Sequence, residues 1–119
     1  MKIIIEGQTP SQKNSKQIFR NSRTGQPFIT SNNTVKEWQK SAAQQLKMQD
    51  VAFPGEVKIE YHFYVKDKRR RDLDNMIASV NDALVAAGVI QDDSWQFLTI
   101  TGAWAKHDKE NPRAEINVI

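Results

Sequence analysis

A stretch near the middle of the chain alternates between apolar and polar side chains, and it constrains the fold more than any other segment. Apolar residues occupy every second position from Val57 to Val65, and the positions between them are mostly polar, ending at Lys66. Side chains of a β-strand point alternately to opposite faces, so the pattern predicts a strand over residues 57–66 with one buried face. That face requires a second layer to cover it.

Two segments with apolar residues three and four positions apart supply the second layer. The first follows Thr34 and Glu37, whose spacing is typical of a capping box, and it predicts a helix to about Gln49. The second predicts a helix that starts near Asp74 and ends before Gly88, a residue suited to the position after a helix. The apolar positions are Val35, Trp38, Ala42 and Leu46 in the first helix, and Ile77, Val80, Leu84 and Ala87 in the second.

Shorter strand patterns complete the chain. They cover about residues 2–6, 16–20, 26–30, 95–105 and 114–119. The second and third flank a turn-rich stretch and predict a hairpin. The length of 119 residues suits one domain, 1–119, and no linker divides it. These elements predict an α+β domain of two layers, with a mixed, mostly antiparallel sheet packed with two helices.

Composition excludes several classes of protein. The chain has no cysteine, which rules out disulfides, thiolate metal sites and thiol nucleophiles and agrees with a cytoplasmic location. No apolar run reaches the roughly 18 residues of a membrane span, so no membrane partner is expected. The net charge of +3 is a weak indication of a polyanionic partner.

The distribution of positive charge is more informative than its sum. One short run is basic except at Asp67, and its basic residues are Lys66, Lys68, Arg69, Arg70 and Arg71. Such a run is either a solvated loop or a phosphate-binding segment. Lys13 and Lys16 are further candidates for contact with a DNA backbone, or they simply decorate a polar loop.

Asp72 and Asp74 follow the basic run where it enters the second predicted helix. Carboxylates two positions apart share a side only in extended backbone, as just before a helix, and magnesium prefers such oxygen ligands. Asp93 is a third candidate. The intervening helix is roughly 21 Å long and the five residues after it span at most about 17 Å, so Asp93 nearly reaches the helix start or reaches a partner subunit. In the alternative interpretation Asp74 caps the helix and Asp72 is a solvated charge.

The three tryptophans are expected to differ in burial. Trp38 has the spacing of a core residue. Trp95 and Trp104 have opposite parity on one predicted strand, so one of them is a candidate for exposure. An exposed aromatic ring can stack on bases, but burial in the core or in an interface is the default.

The acidic motif and its surroundings resemble the RusA family of Holliday-junction resolvases. The residues that carry the resemblance are Arg70-Arg71-Asp72-Leu73-Asp74-Asn75, Asn81-Asp82-Ala83-Leu84, Ala87-Gly88 and Asp92-Asp93, with an early Pro10…Lys13-Asn14 loop. The resemblance implies a magnesium-dependent homodimer that nicks four-way DNA junctions symmetrically, with manganese as a possible substitute and no small-molecule substrate. It places the catalytic, metal-binding acids at Asp72, Asp74 and Asp93.

One position departs from the family pattern. The resemblance implies a catalytic lysine three residues after the asparagine of the motif, and this chain has Ala78 there. A cation at that position would stabilise developing phosphate charge. Its role is therefore lost, moved to Lys66 or Lys68, or taken by the partner subunit. The leading hypothesis is a crossover-junction endodeoxyribonuclease, and the alternatives are a weak or inactive branched-DNA-binding protein and a generic nucleic-acid-binding module.

Overall fold

The computed structural model describes residues 1–11, 16–20, 27–31 and 33–119, with side chains for residues 1–11 and 34–119. The elements in chain order are β1 (Lys2–Glu6), β2 (Lys16–Arg20), β3 (Pro27–Ser31), α1 (Asn33–Gln49), β4 (Val57–Val65), α2 (Leu73–Ala86), β5 (Leu98–His107) and β6 (Arg113–Val118). None of the helices in the described part of the chain is both long and apolar enough to cross a bilayer.

Four strands form one mixed sheet in the order β1-β6-β4-β5. β6 lies antiparallel to both β1 and β4, whereas β5 runs parallel to β4. Parallel neighbours need a crossover, and α2 is the helix that connects these two strands. β2 and β3 pair as a separate antiparallel hairpin. The predicted α+β class, mixed sheet and hairpin are confirmed.

The core lies between the sheet and the two helices. The buried face of β4 includes Ile59, Tyr61 and Phe63, as the alternation predicts. α1 contributes Trp38, Ala42 and Leu46 of its predicted apolar face, and α2 contributes Met76, Val80 and Leu84. These residues belong to one continuous cluster, so the helices hold the elements that carry the acidic motif rigidly against the sheet.

The carboxyl end of α2 follows the sequence prediction closely. Gly88 has a positive φ of 74°, and the backbone N–H of Val89 donates to Leu84 O at 2.9 Å. The Gly88 N–H donates to Val85 O at 3.0 Å, which completes a Schellman motif. Only glycine adopts this left-handed conformation without a steric cost.

Other boundaries differ from the expectations. α1 begins at Asn33, one residue before the predicted capping residue Thr34. β5 begins at Leu98, because the chain turns at residues 94–97, and it extends to His107. Trp95 therefore precedes the strand, and the parity argument that paired it with Trp104 does not apply. Both tryptophans are exposed, Trp95 by 85% and Trp104 by 50%.

Candidate active site

Asp72 and Asp74 lie at the amino-terminal end of α2, and both side chains are exposed. Asp72 is the N-cap residue, with extended backbone (φ −79°, ψ 119°), but its side chain makes no capping hydrogen bond. Its Oδ1 lies 3.1 Å from Arg70 Nη2, and its Oδ2 accepts a long hydrogen bond of 3.4 Å from the Asn75 side chain. Asp74 Oδ1 accepts a bond of 2.9 Å from the backbone N–H of Asn75. The alternative in which Asp74 caps the helix is wrong, and the Asp72 carboxylate faces Arg70 and Asn75 instead of capping the helix.

The basic loop, residues 66–71, connects β4 to α2 and is organised by its single acid. Asp67 Oδ1 pairs with Arg71 Nη1 at 2.8 Å and accepts a hydrogen bond of 3.0 Å from the Arg69 backbone N–H. Arg71 Nη1 also donates to the Asp67 carbonyl at 3.1 Å. The bond from Arg71, followed by that from the Arg69 N–H, holds the pKa of Asp67 below its usual value. This network gives the loop a fixed shape ahead of Asp72.

The arginines of the basic loop have different surroundings. The Arg71 side chain is only 11% exposed because it is bound inside the loop, whereas Arg69 and Arg70 are 85% and 89% exposed. Arg70 is the cation that lies against Asp72. Direct contact with a phosphate therefore suits Arg69 and Arg70, and Arg71 shapes the loop that carries them.

Asp93 lies in the connection between α2 and β5, and its position depends on the path that the chain takes after α2. After Gly88 the chain forms a parallel bridge between Ile90 and Phe53. The Asp93 side chain is exposed, and its charge acts on the hydroxyl of Tyr61 in the middle of β4. Burial is the main reason that the pKa of Tyr61 is raised, and Asp93 adds to the increase.

The Tyr61 hydroxyl donates a short hydrogen bond to Asn81 Oδ1 in the core. Asn81 is one of the few buried polar side chains in the described part of the chain. It lies nine residues after Asp72, or about two and a half turns along α2. The Tyr61–Asn81 pair, on which the charge of Asp93 acts, therefore lies at the middle of α2, whereas Asp72 and Asp74 are at its start.

The three aspartates do not form one cluster in this chain. Within the described residues, no three His, Cys, Asp or Glu side chains are close enough together to hold one metal ion. Asp72 and Asp74 both lie exposed at the amino-terminal end of α2, and the Asp72 side chain makes no capping hydrogen bond. Magnesium commonly takes one or two protein carboxylates and completes its shell with water and substrate phosphate.

A protein-family model, endodeoxyribonuclease RusA, matches residues 9–119, which is nearly the whole chain. The chain belongs to the RusA family of endodeoxyribonucleases. No curated protein matches it. The resemblance inferred from the acidic motif is thereby confirmed, and RusA membership supports a DNA-cutting hydrolase. The match spans the basic loop, α2 and the connection that carries Asp93.

In this RusA-family chain, Ala78 lies on α2 one turn after Asp74 and is partly buried. The position thus lies one helical turn from Asp74, at the same end of α2. Lys66 and Lys68 are exposed in the basic loop. Lys13 lies outside the described residues, and Lys16 begins β2 with its side chain outside them.

Two contacts near the site were not predicted from the sequence, the hydrogen bond between Tyr61 and Asn81 and that between Gln8 and Lys66. Asn81 interrupts the apolar face of α2 between Val80 and Leu84, and a polar residue inside an apolar stripe is a recognisable signal. Gln8 and Thr9 approach the basic loop, and Gln8 Oε1 accepts a hydrogen bond of 2.8 Å from the Lys66 backbone N–H. No local pattern predicts that contact, because it joins positions 58 residues apart.

Proposed function

We propose that this protein is a structure-selective endonuclease that resolves four-way DNA junctions by paired, magnesium-dependent phosphodiester hydrolysis. The observation that carries the proposal is the pair of exposed carboxylates, Asp72 and Asp74, next to the basic loop in a RusA-family chain. A site that only bound DNA would gain nothing from carboxylates beside phosphates, since like charges repel. Carboxylates in that position suit a cation held between protein and substrate.

Asp72 and Asp74 would hold the magnesium ion at the start of α2. Bound there, the ion would supply charge neutralisation and activation of water for attack on the phosphorus. Arg69 and Arg70 would hold the DNA strand, and Lys66 and Lys68 would add charge at the same edge. Lys13, Lys16 and Arg71 remain predicted DNA contacts.

Asp93 is proposed as the third acid of the site. It would join Asp72 and Asp74 either by movement of the connection between α2 and β5 or from the second subunit of a homodimer. A homodimer suits two matching cuts in a substrate with two-fold symmetry. A cytoplasmic location is part of the same proposal.

Ala78 supports a second candidate function, a branched-DNA-binding protein with weak or no cleavage. A cation at this position would stabilise negative charge as the bond to the leaving oxygen breaks. Without it, binding can persist while cutting is slow. Ala78→Lys therefore tests this candidate directly, because a gain in cutting would show that the position limits the rate.

The deciding experiment incubates the protein with a labelled four-way junction, with and without magnesium, and resolves the products on a denaturing gel. We expect paired, symmetric nicks that need magnesium and disappear in Asp72→Asn. Glu110→Gln is the matched control, because it also removes one exposed negative charge but lies in the loop between β5 and β6. Binding without cutting in magnesium and in manganese would contradict the nuclease proposal and favour the second candidate.

A mixed-subunit version of this experiment tests where Asp93 acts. A dimer made only of Asp72→Asn subunits, or only of Asp93→Asn subunits, should be inactive whether each site is built from one chain or from two. If each site combines acids from two chains, a mixed dimer contains one intact site, and nicking of one strand returns. If each site lies within one chain, the mixture stays inactive.

A further inference from the structure

A cavity of about 320 Å³ opens between the basic loop, residues 8–11 and the start of α1. None of the described residues that line it is acidic. The basic lining residues are Lys66, Arg69, Arg70 and Arg71. A cavity lined by cations favours an anionic ligand, and its volume accommodates a phosphate group with its hydrating water.

The walls of the cavity are fixed by hydrogen bonds between distant segments. The Gln8 side chain accepts a bond of 2.8 Å from the Lys66 backbone N–H and donates one of 2.9 Å to the Thr9 carbonyl. Ser79 Oγ, on α2, donates to the Pro10 carbonyl at 3.1 Å. The cavity is therefore formed before a ligand arrives, which lowers the entropy cost of binding.

Thr9 supplies an independent observation that points to a ligand. It lines the cavity and is 2% exposed, and its Oγ1 has no hydrogen-bond partner among the described residues. A buried hydroxyl without a partner costs about 1–3 kcal/mol. A ligand oxygen that accepts a bond after rotation of this side chain would remove that cost, and phosphate oxygens are strong acceptors.

The start of α1 adds positive potential to the same cavity. Thr34 and Val35, in the first turn of this 17-residue helix, are among the lining residues. The first turn contains no acidic residue to offset the positive end of the helix dipole. Phosphates bind readily at such helix ends.

We propose that this cavity binds a backbone phosphate of DNA that neighbours the phosphate cut at Asp72 and Asp74. Arg70 links the cavity to the carboxylates, because it lines the cavity and its Nη2 lies 3.1 Å from Asp72 Oδ1. A phosphate held in the cavity fixes the register of the strand, so that the next phosphate along is presented to the carboxylates. The choice of DNA as the source of the phosphate rests on the proposed function.

The first test titrates inorganic phosphate into the protein at constant ionic strength, with chloride as the comparison, and follows backbone amides by NMR. We expect saturable shifts concentrated in residues 8–11, 34–35 and 66–71. Arg69→Gln should weaken phosphate binding several-fold. Lys109→Gln, which removes an exposed cation from the loop between β5 and β6, should leave it unchanged. Unsaturable shifts spread over basic residues throughout the chain would overturn the proposal.

Thr9→Val separates a binding role from a structural one. Valine has nearly the same shape and lacks the unpartnered hydroxyl, so the free energy of unfolding should stay the same or rise. Phosphate affinity should nevertheless fall several-fold. Unchanged affinity in this variant, together with unchanged affinity in Arg69→Gln, would refute the site.

Asp72→Asn distinguishes this inference from the proposed function. The variant should still bind phosphate in the cavity, at least as tightly as the natural chain because Arg70 loses its carboxylate partner, although it should not cut a junction. If the natural chain binds phosphate in the cavity but cuts no junction, the cavity is supported and the nuclease proposal fails. If it cuts junctions and the cavity variants bind phosphate normally, the nuclease proposal is supported and the cavity proposal fails.

Discussion

Replacing Tyr61 with phenylalanine should destabilise the protein through Asn81, not through lost packing. The ring stays in the core, but the buried Asn81 Oδ1 loses the hydroxyl that donates to it. A buried acceptor left without a partner costs about 1–3 kcal/mol. At roughly 4 °C per kcal/mol for a domain of this size, the melting temperature should fall by about 4–12 °C.

The pairing can be isolated by a double-mutant cycle. Asn81→Leu alone leaves the Tyr61 hydroxyl unpartnered and should cost a similar amount. The double variant removes both polar groups, so its loss should be much smaller than the sum of the two single losses. We expect a coupling free energy of about 1 kcal/mol or more, measured from urea midpoints at an unchanged m value.

Tyr64→Phe is the matched control for this cycle. Tyr64 lies on the opposite face of the same strand, half-buried, with the Arg113 guanidinium 3.8 Å from the centre of its ring. Removal of its hydroxyl should change the free energy of unfolding by less than about 0.5 kcal/mol. Additive losses in the Tyr61 and Asn81 variants would refute the reasoning, because they would show that the two groups do not depend on each other.

Two further substitutions test local structure on either side of α2. Gly88→Ala should lower the free energy of unfolding by about 1 kcal/mol, because φ is positive there. No neighbouring atom obstructs an added Cβ, so no larger loss is expected. A loss of several kcal/mol in a urea titration would instead indicate a steric clash. The pKa of Asp67 is lowered by Arg71, so its pairing stabilises the fold above the usual carboxyl pKa of 3.8 and is lost as the pH falls through the lower folded value. Asp67→Asn should therefore flatten the fall in stability below about pH 4, and an unchanged acid profile would contradict this.

Periodicity predicted the elements well because local side-chain patterns determine them. The structure buries the alternating face of β4 as predicted. In α2 it buries Val80 and Leu84 of the predicted face, but Ala87 is exposed and Met76 is buried instead. Gly88 was predictable for a similar reason, since the backbone conformation after α2 excludes most other residues. The acidic motif was found through its spacing and its basic neighbours.

The relative position of Asp93 could not be predicted in the same way. Chain length set only an upper limit on its reach back toward Asp72. The actual path depends on the bridge between Ile90 and Phe53 and on the turn at residues 94–97. Both are tertiary features, and together they bring Asp93 near Tyr61. The contact between Gln8 and Lys66 was inaccessible for the same reason.

Departures from ordinary stabilising rules are concentrated around the proposed DNA-cutting edge. Asp72 occupies an N-cap position without using its side chain to cap, which forgoes a bond worth about 1 kcal/mol. Asn81 places an amide in the core, and Thr9 buries a hydroxyl with no partner beside the basic loop. Trp38 Nε1 is a further unpartnered buried atom, so such costs also occur elsewhere. Among the described residues, Asp72 and Thr9 combine this cost with nearby exposed cations, and local rules tend to fail where a site binds a ligand. Under the two proposals these departures serve ligand binding, so Thr9→Val should weaken phosphate binding and Asp72→Asn should abolish cutting, each without loss of the folded structure.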